Sequence, residues 1–131
     1  MTQTTTTISR DIALDTVNRY LQAIAGATST DEITALYADG ATVEDPVGSD
    51  PAHGKEAIAA FFSPMIATVR RETELLGFRH SGDSAAFHFR VRTHTPDSVI
   101  EIEPIDVMTF TADGLITSVR AFWSPEDVRQ L

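Results

Sequence analysis

The chain has 131 residues and a mass of 14.3 kDa, the size of one domain with little room for a second. Its 42% hydrophobic and 22% charged residues are typical of a globular protein that buries a core without disulfides or a structural metal. The formal net charge of -9 would repel phosphate backbones and anionic lipid, which argues against nucleic acid as a partner. No cysteine is present, so thiolate nucleophiles, zinc-thiolate sites and iron-sulfur clusters are excluded.

The N-terminal tract is polar and rich in threonine, and residues 1–8 are expected to be disordered. No stretch approaches the ~20 apolar residues that a membrane span needs. These observations predict a soluble, cytoplasmic, single domain over residues 1–131 with no membrane partner.

A first helix is predicted from residue 9 onward, because apolar residues recur at steps of three and four and therefore share one helical face. Gly26 is expected to end it. The apolar positions are Ala13, Val17, Tyr20, Leu21 and Ile24.

A second, short helix is predicted to open at residues 29–32, where Ser29 and Glu32 have the spacing of a capping box. It is expected to carry Ile33, Leu36 and Tyr37 and to end near residues 39–40.

A strand is predicted over residues 41–45, since small or apolar groups alternate with polar ones and Pro46 favours an extended Asp45. The alternation puts Asp45 on the side of Val43 and away from Glu44. One interpretation of Asp45 is a general base at the mouth of a pocket. The other is an aspartate that caps the loop after it, a common role of Asp-Pro pairs.

A loop over residues 47–54 and a third helix over residues 55–62, interrupted before Pro64, complete the helical part. From residue 70 the period becomes two, with turn signals at 81–83, 95–97 and 112–114, which predicts a meander of about four antiparallel strands. Helices first and strands afterwards indicate an α+β domain in which three helices pack on one face of a curved antiparallel sheet.

Asp106 is the most informative polar position, because the period-two rule puts its side chain on the face of Met108 and Phe110. Burial there would raise its pKa and keep it protonated, able to donate a hydrogen bond. The alternative is a different register, in which Asp106 faces solvent. Tyr20 has two interpretations as well, a core tyrosine or a buried hydroxyl that needs a partner.

The four histidines lack metal-ligand spacing, so no metal site is predicted and all four are interpreted as structural or exposed. The sequence has no dinucleotide, P-loop or serine-hydrolase motif. Glu101 and Glu103 are interpreted as part of a solvated strand face.

Four segments closely resemble bacterial Δ5-3-ketosteroid isomerases: LYADGATVEDP at 36–46, HGKE at 53–56, IDVM at 105–108 and AFWS at 121–124. The first segment also resembles, more loosely, the wider group of cone-shaped domains of the nuclear transport factor 2 and SnoaL-like type. The resemblance extends from the first helix to residue 124, except over residues 63–86.

This resemblance implies an isomerase that needs no cofactor, in which Asp45 moves a proton from C4 to C6 of a 3-oxo-Δ5-steroid. Tyr20 and a protonated Asp106 would form the oxyanion hole, donating hydrogen bonds to the C3 oxygen as the dienolate forms. The C5-C6 double bond would thereby move into conjugation with the ketone.

The resemblance also implies substrate contacts for Phe89, Trp123, Met108, Tyr37 and Phe62. The last of these departs from the family, whose best-known members have a tyrosine there, so the hydrogen-bonded chain of tyrosines is shortened.

A homodimer with its sheets packed together is implied as well. The alternatives are a non-catalytic binder of steroid-like hydrophobic ligands and another cone-fold enzyme of the polyketide cyclase or epoxide hydrolase type. Pro104, two residues before Asp106, is acceptable in a strand only at an edge or a bulge, and it would be able to shift the register there.

Overall fold

The computed structural model describes residues 7–67 and 70–131, which form three helices and eight strands. The helices are α1 (Arg10–Gly26), α2 (Asp31–Thr34) and α3 (Gly54–Ile66). The strands are β1 (Tyr37–Glu44), β2 (Ala52–His53), β3 (Arg70–Ser81), β4 (Ser84–His94), β5 (Val99–Ile102), β6 (Ile105–Phe110), β7 (Ile116–Phe122) and β8 (Val128–Gln130), the last preceded by a 3-10 turn over Pro125–Asp127. Within the described ranges, no helix is long and apolar enough to cross a membrane.

The strands form one curved, open sheet, and the predicted α+β class with helices on one face is confirmed. Strand β4 lies in the middle of the sheet. Strand β3 pairs with one of its edges, and β6 and β5 pair with successive parts of its other edge. Beyond β6 the order continues through β7 and β1 to β2, while β8 pairs with β5. One pairing departs from the expected antiparallel sheet, because β1 and β7 run parallel.

Helix α1 has the predicted extent and buried face. Ser9 caps it, accepting a hydrogen bond at Oγ from the backbone N–H of Ile12 at 3.1 Å. Ile8 is buried, and its N–H donates to the backbone oxygen of Gly82 at 3.2 Å. Most of the segment expected to be disordered, residues 1–6, lies outside the described residues.

The second helix is shorter than predicted, because α2 ends at Thr34 and Tyr37 is already the first residue of β1. Tyr37 faces Ile116 of β7 in the parallel pairing, a contact that helical spacing along the chain does not reveal. Half of the predicted capping box is present: Glu32 accepts the backbone N–H of Ser29 at 3.0 Å, but the Ser29 hydroxyl accepts the N–H of Asp31 instead of that of Glu32.

The third helix is longer than predicted, since α3 includes Pro64 and continues to Ile66. A proline removes one N–H donor from the helix, but here it lies in the last turn. Met65 and Ile66 pack against the hydrophobic core, and this burial favours the extra turn.

The strand region holds six strands among the described residues after 69, where about four were expected, although all three predicted turns are present. The chain leaves β4 after β5 and rejoins it as β6, and Pro104 lies in the break, accepting at its backbone oxygen the N–H of Phe89 at 3.3 Å. The register on β4 is the same before and after this break, so Pro104 interrupts the strand pairing without shifting the register of Asp106.

The core lies between the helices and the concave face of the sheet, and one buried arginine ties the helix ends to it. Arg71 of β3 donates to the backbone oxygens of Ile24 at 2.6 Å, Met65 at 2.8 Å and Ala27 at 3.1 Å. These oxygens belong to the C-terminal ends of α1 and α3, where a positive charge is favourable. Arg71 therefore holds the two helices together at the end where both meet the sheet.

The interpretation of Glu101 as solvated is wrong, because the residue is only 4% exposed. On the outer face of the sheet it accepts from Arg92 Nε at 2.8 Å and pairs with Arg129 at 3.1 Å. The bond from Arg92 is the main reason why the pKa of Glu101 is lowered. Glu103, half-buried beside it, bonds to His88 at 3.0 Å.

Candidate active site

An apolar cavity of about 520 Å³ lies between α1, α3 and the concave face of the sheet. Its walls are mostly aliphatic and aromatic, with a few polar groups among them, the usual composition of a small-molecule site. The lining residues are Tyr20, Ile24, Asp45, Pro46, Phe61, Phe62, Pro64, Met65, Phe89, Val91, Ile102, Pro104, Asp106 and Trp123.

Asp106 projects from β6 into this cavity and is 1% exposed, so the predicted face is confirmed. Its backbone faces Phe87 of β4 on one side and Ala121 of β7 on the other, both buried. Burial, and secondly the nearby Asp45 carboxylate, raise the pKa of Asp106 well above its usual value. Its Oδ1 makes no hydrogen bond within the described part of the chain, so a protonated Asp106 has a free hydrogen-bonding atom.

Asp45 follows the last residue of β1 and is half-buried at the same cavity. The indole N–H of Trp123 donates to its Oδ1 at 2.6 Å. Burial raises the pKa of Asp45, and the Trp123 bond opposes that rise. The preceding Glu44 points to the other side and bonds to Arg120 at 3.0 Å, as the alternation predicted.

Tyr20 comes from the buried face of α1 and lines the cavity. Its ring makes edge-to-face contacts with Phe62 and Phe87, each with ring centres 6.5 Å apart. Burial, and then Tyr37, Asp106 and Asp45 in turn, raise the pKa of Tyr20 well above its usual value. The hydroxyl therefore stays protonated and is available as a donor.

Two of the predicted substrate contacts lie deeper than the cavity wall. Tyr37 and Met108 are fully buried and are not among the lining residues. Burial is the main reason why the pKa of the Tyr37 hydroxyl is raised, and the neighbouring Tyr20 hydroxyl partly opposes this rise. Both residues lie in the core behind the cavity wall.

The other predicted contacts, Phe89, Phe62 and Trp123, line the cavity together with Tyr20, Asp45 and Asp106. Six of the eight site residues predicted from the sequence therefore line the same cavity. Their roles in binding and chemistry stay predictions.

Several lining residues were missed. Val91 shares the inward face with Phe89 at period two, so alternation was a usable signal for it. Phe61 and Met65 lie one helical turn apart on α3, but the helix was expected to stop before Pro64. Ile102 had no local signal, because the sequence did not predict that this segment divides into two strands, β5 and β6.

The described residues contain no group of three His, Asp or Glu side chains that would hold a metal. The two histidines of β4 instead each contact one glutamate, His88 with Glu103 at 3.0 Å and His94 with Glu72 at 2.9 Å. The polar groups of the cavity are thus two carboxyls, a phenol and an indole, which together are able to accept, hold and donate protons.

Asp45, Asp106 and Tyr20 thus share one apolar cavity between the helices and the sheet of an α+β domain, and sequence comparison identifies the family of this domain. The model of the SnoaL-like domain family matches residues 17–119, and the chain belongs to this family. It is 53% identical over 112 residues to the Steroid Delta-isomerase of Nocardioides simplex, covering 86% of this chain and 89% of that protein.

Two solved structures share the fold over nearly their whole length. The epoxide hydrolase/cyclase-like enzyme SalBIII, which has a role in pyran ring formation in polyether salinomycin, superposes with a TM-score of 0.85 at 25% identity, covering 94% of this chain and 98% of that one. RV0760c from Mycobacterium tuberculosis superposes with a TM-score of 0.83 at 25% identity, covering 98% of this chain and all 100% of that one.

Proposed function

We propose that this protein is a steroid Δ-isomerase that converts a 3-oxo-Δ5-steroid into its conjugated 3-oxo-Δ4 isomer. The observation that carries the proposal is the composition of the cavity, in which Asp45, Asp106 and Tyr20 are the ionisable groups on otherwise apolar walls. The 53% identity to the Steroid Delta-isomerase of Nocardioides simplex supports the same activity.

The first step is a proton transfer from C4 of the steroid to a carboxylate oxygen of Asp45. The electron pair of the broken C–H bond moves through C3 onto the ketone oxygen, which gives a dienolate. Asp45 then returns the same proton to C6, and the double bond ends between C4 and C5. No atom is gained or lost, so no cofactor or co-reactant is needed.

The electrostatic demand of this reaction lies at the C3 oxygen, which gains negative charge in the dienolate. Protonated Asp106 and the Tyr20 hydroxyl are neutral donors held by β6 and α1, and they need no solvent reorganisation to meet that charge. Because Asp106 is uncharged, it does not repel the oxyanion. The raised pKa of this carboxyl is therefore a functional property of the site.

Asp106 must stay protonated, but Asp45, as the base, must be ionised before substrate binds and must release the proton afterwards. Its half-buried position raises its pKa and so makes it a stronger base, while the Trp123 bond stabilises the carboxylate. The apolar walls limit water, which would otherwise compete for the proton.

We also propose that the protein forms a homodimer through the outer face of the sheet. Ile105 and Phe122 are exposed and face each other across β6 and β7, and Leu76 of β3 is exposed on the same sheet. Exposed apolar groups of this size are typical of an interface. Sedimentation velocity checks this: Ile105→Asp is expected to give a monomer, and a wild-type monomer at micromolar concentration would contradict it.

The activity is tested by mixing the purified protein with androst-5-ene-3,17-dione and following the ultraviolet absorbance of the conjugated enone. Asp45→Asn is expected to lower kcat by about 10²–10⁴-fold through loss of the general base. Asp106→Ala and Tyr20→Phe each remove one oxyanion donor and are expected to lower kcat by about 10²–10³-fold. The exposed Asp113→Asn is the matched control and is expected to keep full activity.

Absence of turnover in a folded wild-type protein would refute the proposal. If that protein still binds the steroid, the function is that of a non-catalytic binder. If it does not, the remaining alternative is another reaction of the family, such as epoxide opening.

A further inference from the structure

A second apolar hollow adjoins the cavity and shares one wall with it. It encloses about 450 Å³ between β5, β8 and the 3-10 turn. The lining residues are Ile100, Trp123, Pro125, Val128 and Gln130. Trp123 belongs to both spaces, and Val128 is the strand neighbour of Ile102, which lines the first cavity.

The strand register gives the position of this hollow relative to the oxyanion hole. Along β4, Asp106 lies beside Phe87, and Ile102 lies beside Val91, four residues further along. At about 3.4 Å per residue, Ile102 is roughly 14 Å from the level of Asp106. Ile100, beside Thr93 and two residues further on, is roughly 20 Å from it.

These distances exceed the length of a steroid nucleus. Four fused rings with C–C bonds of about 1.5 Å, each ring about 2.5 Å across, span roughly 10 Å from C3 to C17. With its C3 oxygen at Asp106 and its rings along Phe89, the nucleus ends near Val91 and Ile102. A group attached at C17 then continues toward Ile100 and Val128.

We propose that this hollow is a subsite for an aliphatic side chain at C17 of the substrate, an inference that rests on the proposed isomerase function. Ile100 and Val128 are 38% and 40% exposed, and their side chains point to the same face of the sheet as Ile102. An alkyl chain laid across them removes apolar surface from water on both partners. The substrate class is therefore a 3-oxo-Δ5-sterol that keeps its side chain, in preference to a steroid with a small polar group at C17.

The test compares two product-type ligands that are not turned over, cholest-4-en-3-one and androst-4-ene-3,17-dione, delivered from cyclodextrin. Binding is followed by the fluorescence of Trp123, which is the protein's one tryptophan. We expect the wild type to bind the side-chain ligand at least tenfold more tightly, the effect of burying about two methylene groups.

The double variant Ile100→Thr and Val128→Thr is expected to lower this preference about tenfold, because hydroxyls replace an ethyl group of Ile100 and a methyl group of Val128 while the β-branched shape suited to strands is kept. Leu115→Thr, at an exposed apolar position on a distant turn, is the matched control and is expected to keep the preference. Thermal unfolding of all variants checks that they remain folded.

Two results would overturn the subsite: equal wild-type affinity for both ligands, or a double variant that weakens both equally. Turnover of androst-5-ene-3,17-dione separates this failure from failure of the proposed function. An active enzyme without a preference refutes the subsite alone. An inactive protein that keeps the preference, and loses it in the double variant, refutes the isomerase and supports the subsite.

Discussion

Replacing Asp106 by asparagine is expected to stabilise the protein, and the stabilisation is expected to grow with pH. Asparagine has nearly the same shape but carries no titrating proton. In the folded protein, burial and the nearby Asp45 raise the pKa of Asp106, so the native state holds a proton that the unfolded chain releases above about pH 4. The unfolded state then binds fewer protons than the native state.

The sign and size follow from proton linkage. Where the native state binds one more proton than the unfolded chain, the free energy of unfolding falls by about 1.4 kcal/mol for each unit of pH. This loss begins at the unfolded-state pKa and ends at the raised pKa of the folded state. Asp106→Asn lacks it, so its advantage over the wild type is expected to increase by about 1.4 kcal/mol for each unit of pH, from the unfolded-state pKa up to the raised pKa of the folded state.

Urea unfolding of both proteins at several pH values between 5 and 8 measures this difference directly. Asp113→Asn, on an exposed turn, is the control and is expected to follow the wild type in parallel. A difference between Asp106→Asn and the wild type that stays constant with pH would mean that Asp106 is ionised in the native protein. The account of a neutral donor in the oxyanion hole would then be wrong.

Three further substitutions test separate contacts. Trp123→Phe removes the donor to Asp45 and is expected to move the acid limb of the kcat/KM profile to higher pH, because the carboxylate loses stabilisation; an unmoved limb would contradict this. Arg71→Leu is expected to lower the free energy of unfolding by about 3 kcal/mol in urea, since two buried and one part-buried backbone oxygens lose a charged donor, whereas the same change at an exposed arginine is expected to matter by less than about 1 kcal/mol. Phe62→Tyr adds a hydroxyl to a ring in contact with Tyr20 and is expected to lower the pKa of that phenol and raise kcat a few-fold; ultraviolet titration and the isomerase assay check both.

Where the sequence predicted the fold well, the deciding pattern was local and repeated. Helix α1 has five apolar residues at helical steps over three turns, and β6 alternates over its whole length. Asp106 stood out because it interrupts that alternation with a carboxyl. The predicted turns also succeeded, since Gly82 and Gly114 both have positive φ, a conformation that glycine adopts readily.

The errors arose where long-range contacts decide the structure. Tyr37 fits a helical spacing with Ile33 but pairs with β7, about eighty positions away in the chain. Pro64 signals a helix end, yet burial of Met65 and Ile66 extends the helix beyond it.

Glu101 shows the same limit for a charged residue. Nothing in its immediate sequence distinguishes it from Glu103, and both were assigned to a solvated face. Its burial depends on Arg92 from β4 and Arg129 from β8, which meet only when the sheet has formed. A paired charge and a solvated charge look identical along the chain.

The position of Asp106 depends on local alternation, and its pKa depends on long-range contacts. The position was therefore predictable from the sequence, and the raised pKa only partly so. Alternation along β6 is enough to turn the side chain inward. Its raised pKa depends on residues of other elements, because α1 helps to close the cavity over it and Asp45 arrives from the end of β1. The same carboxyl without these neighbours would face water and ionise. The oxyanion donor proposed here is therefore a property of the assembled cone rather than of the strand that carries it.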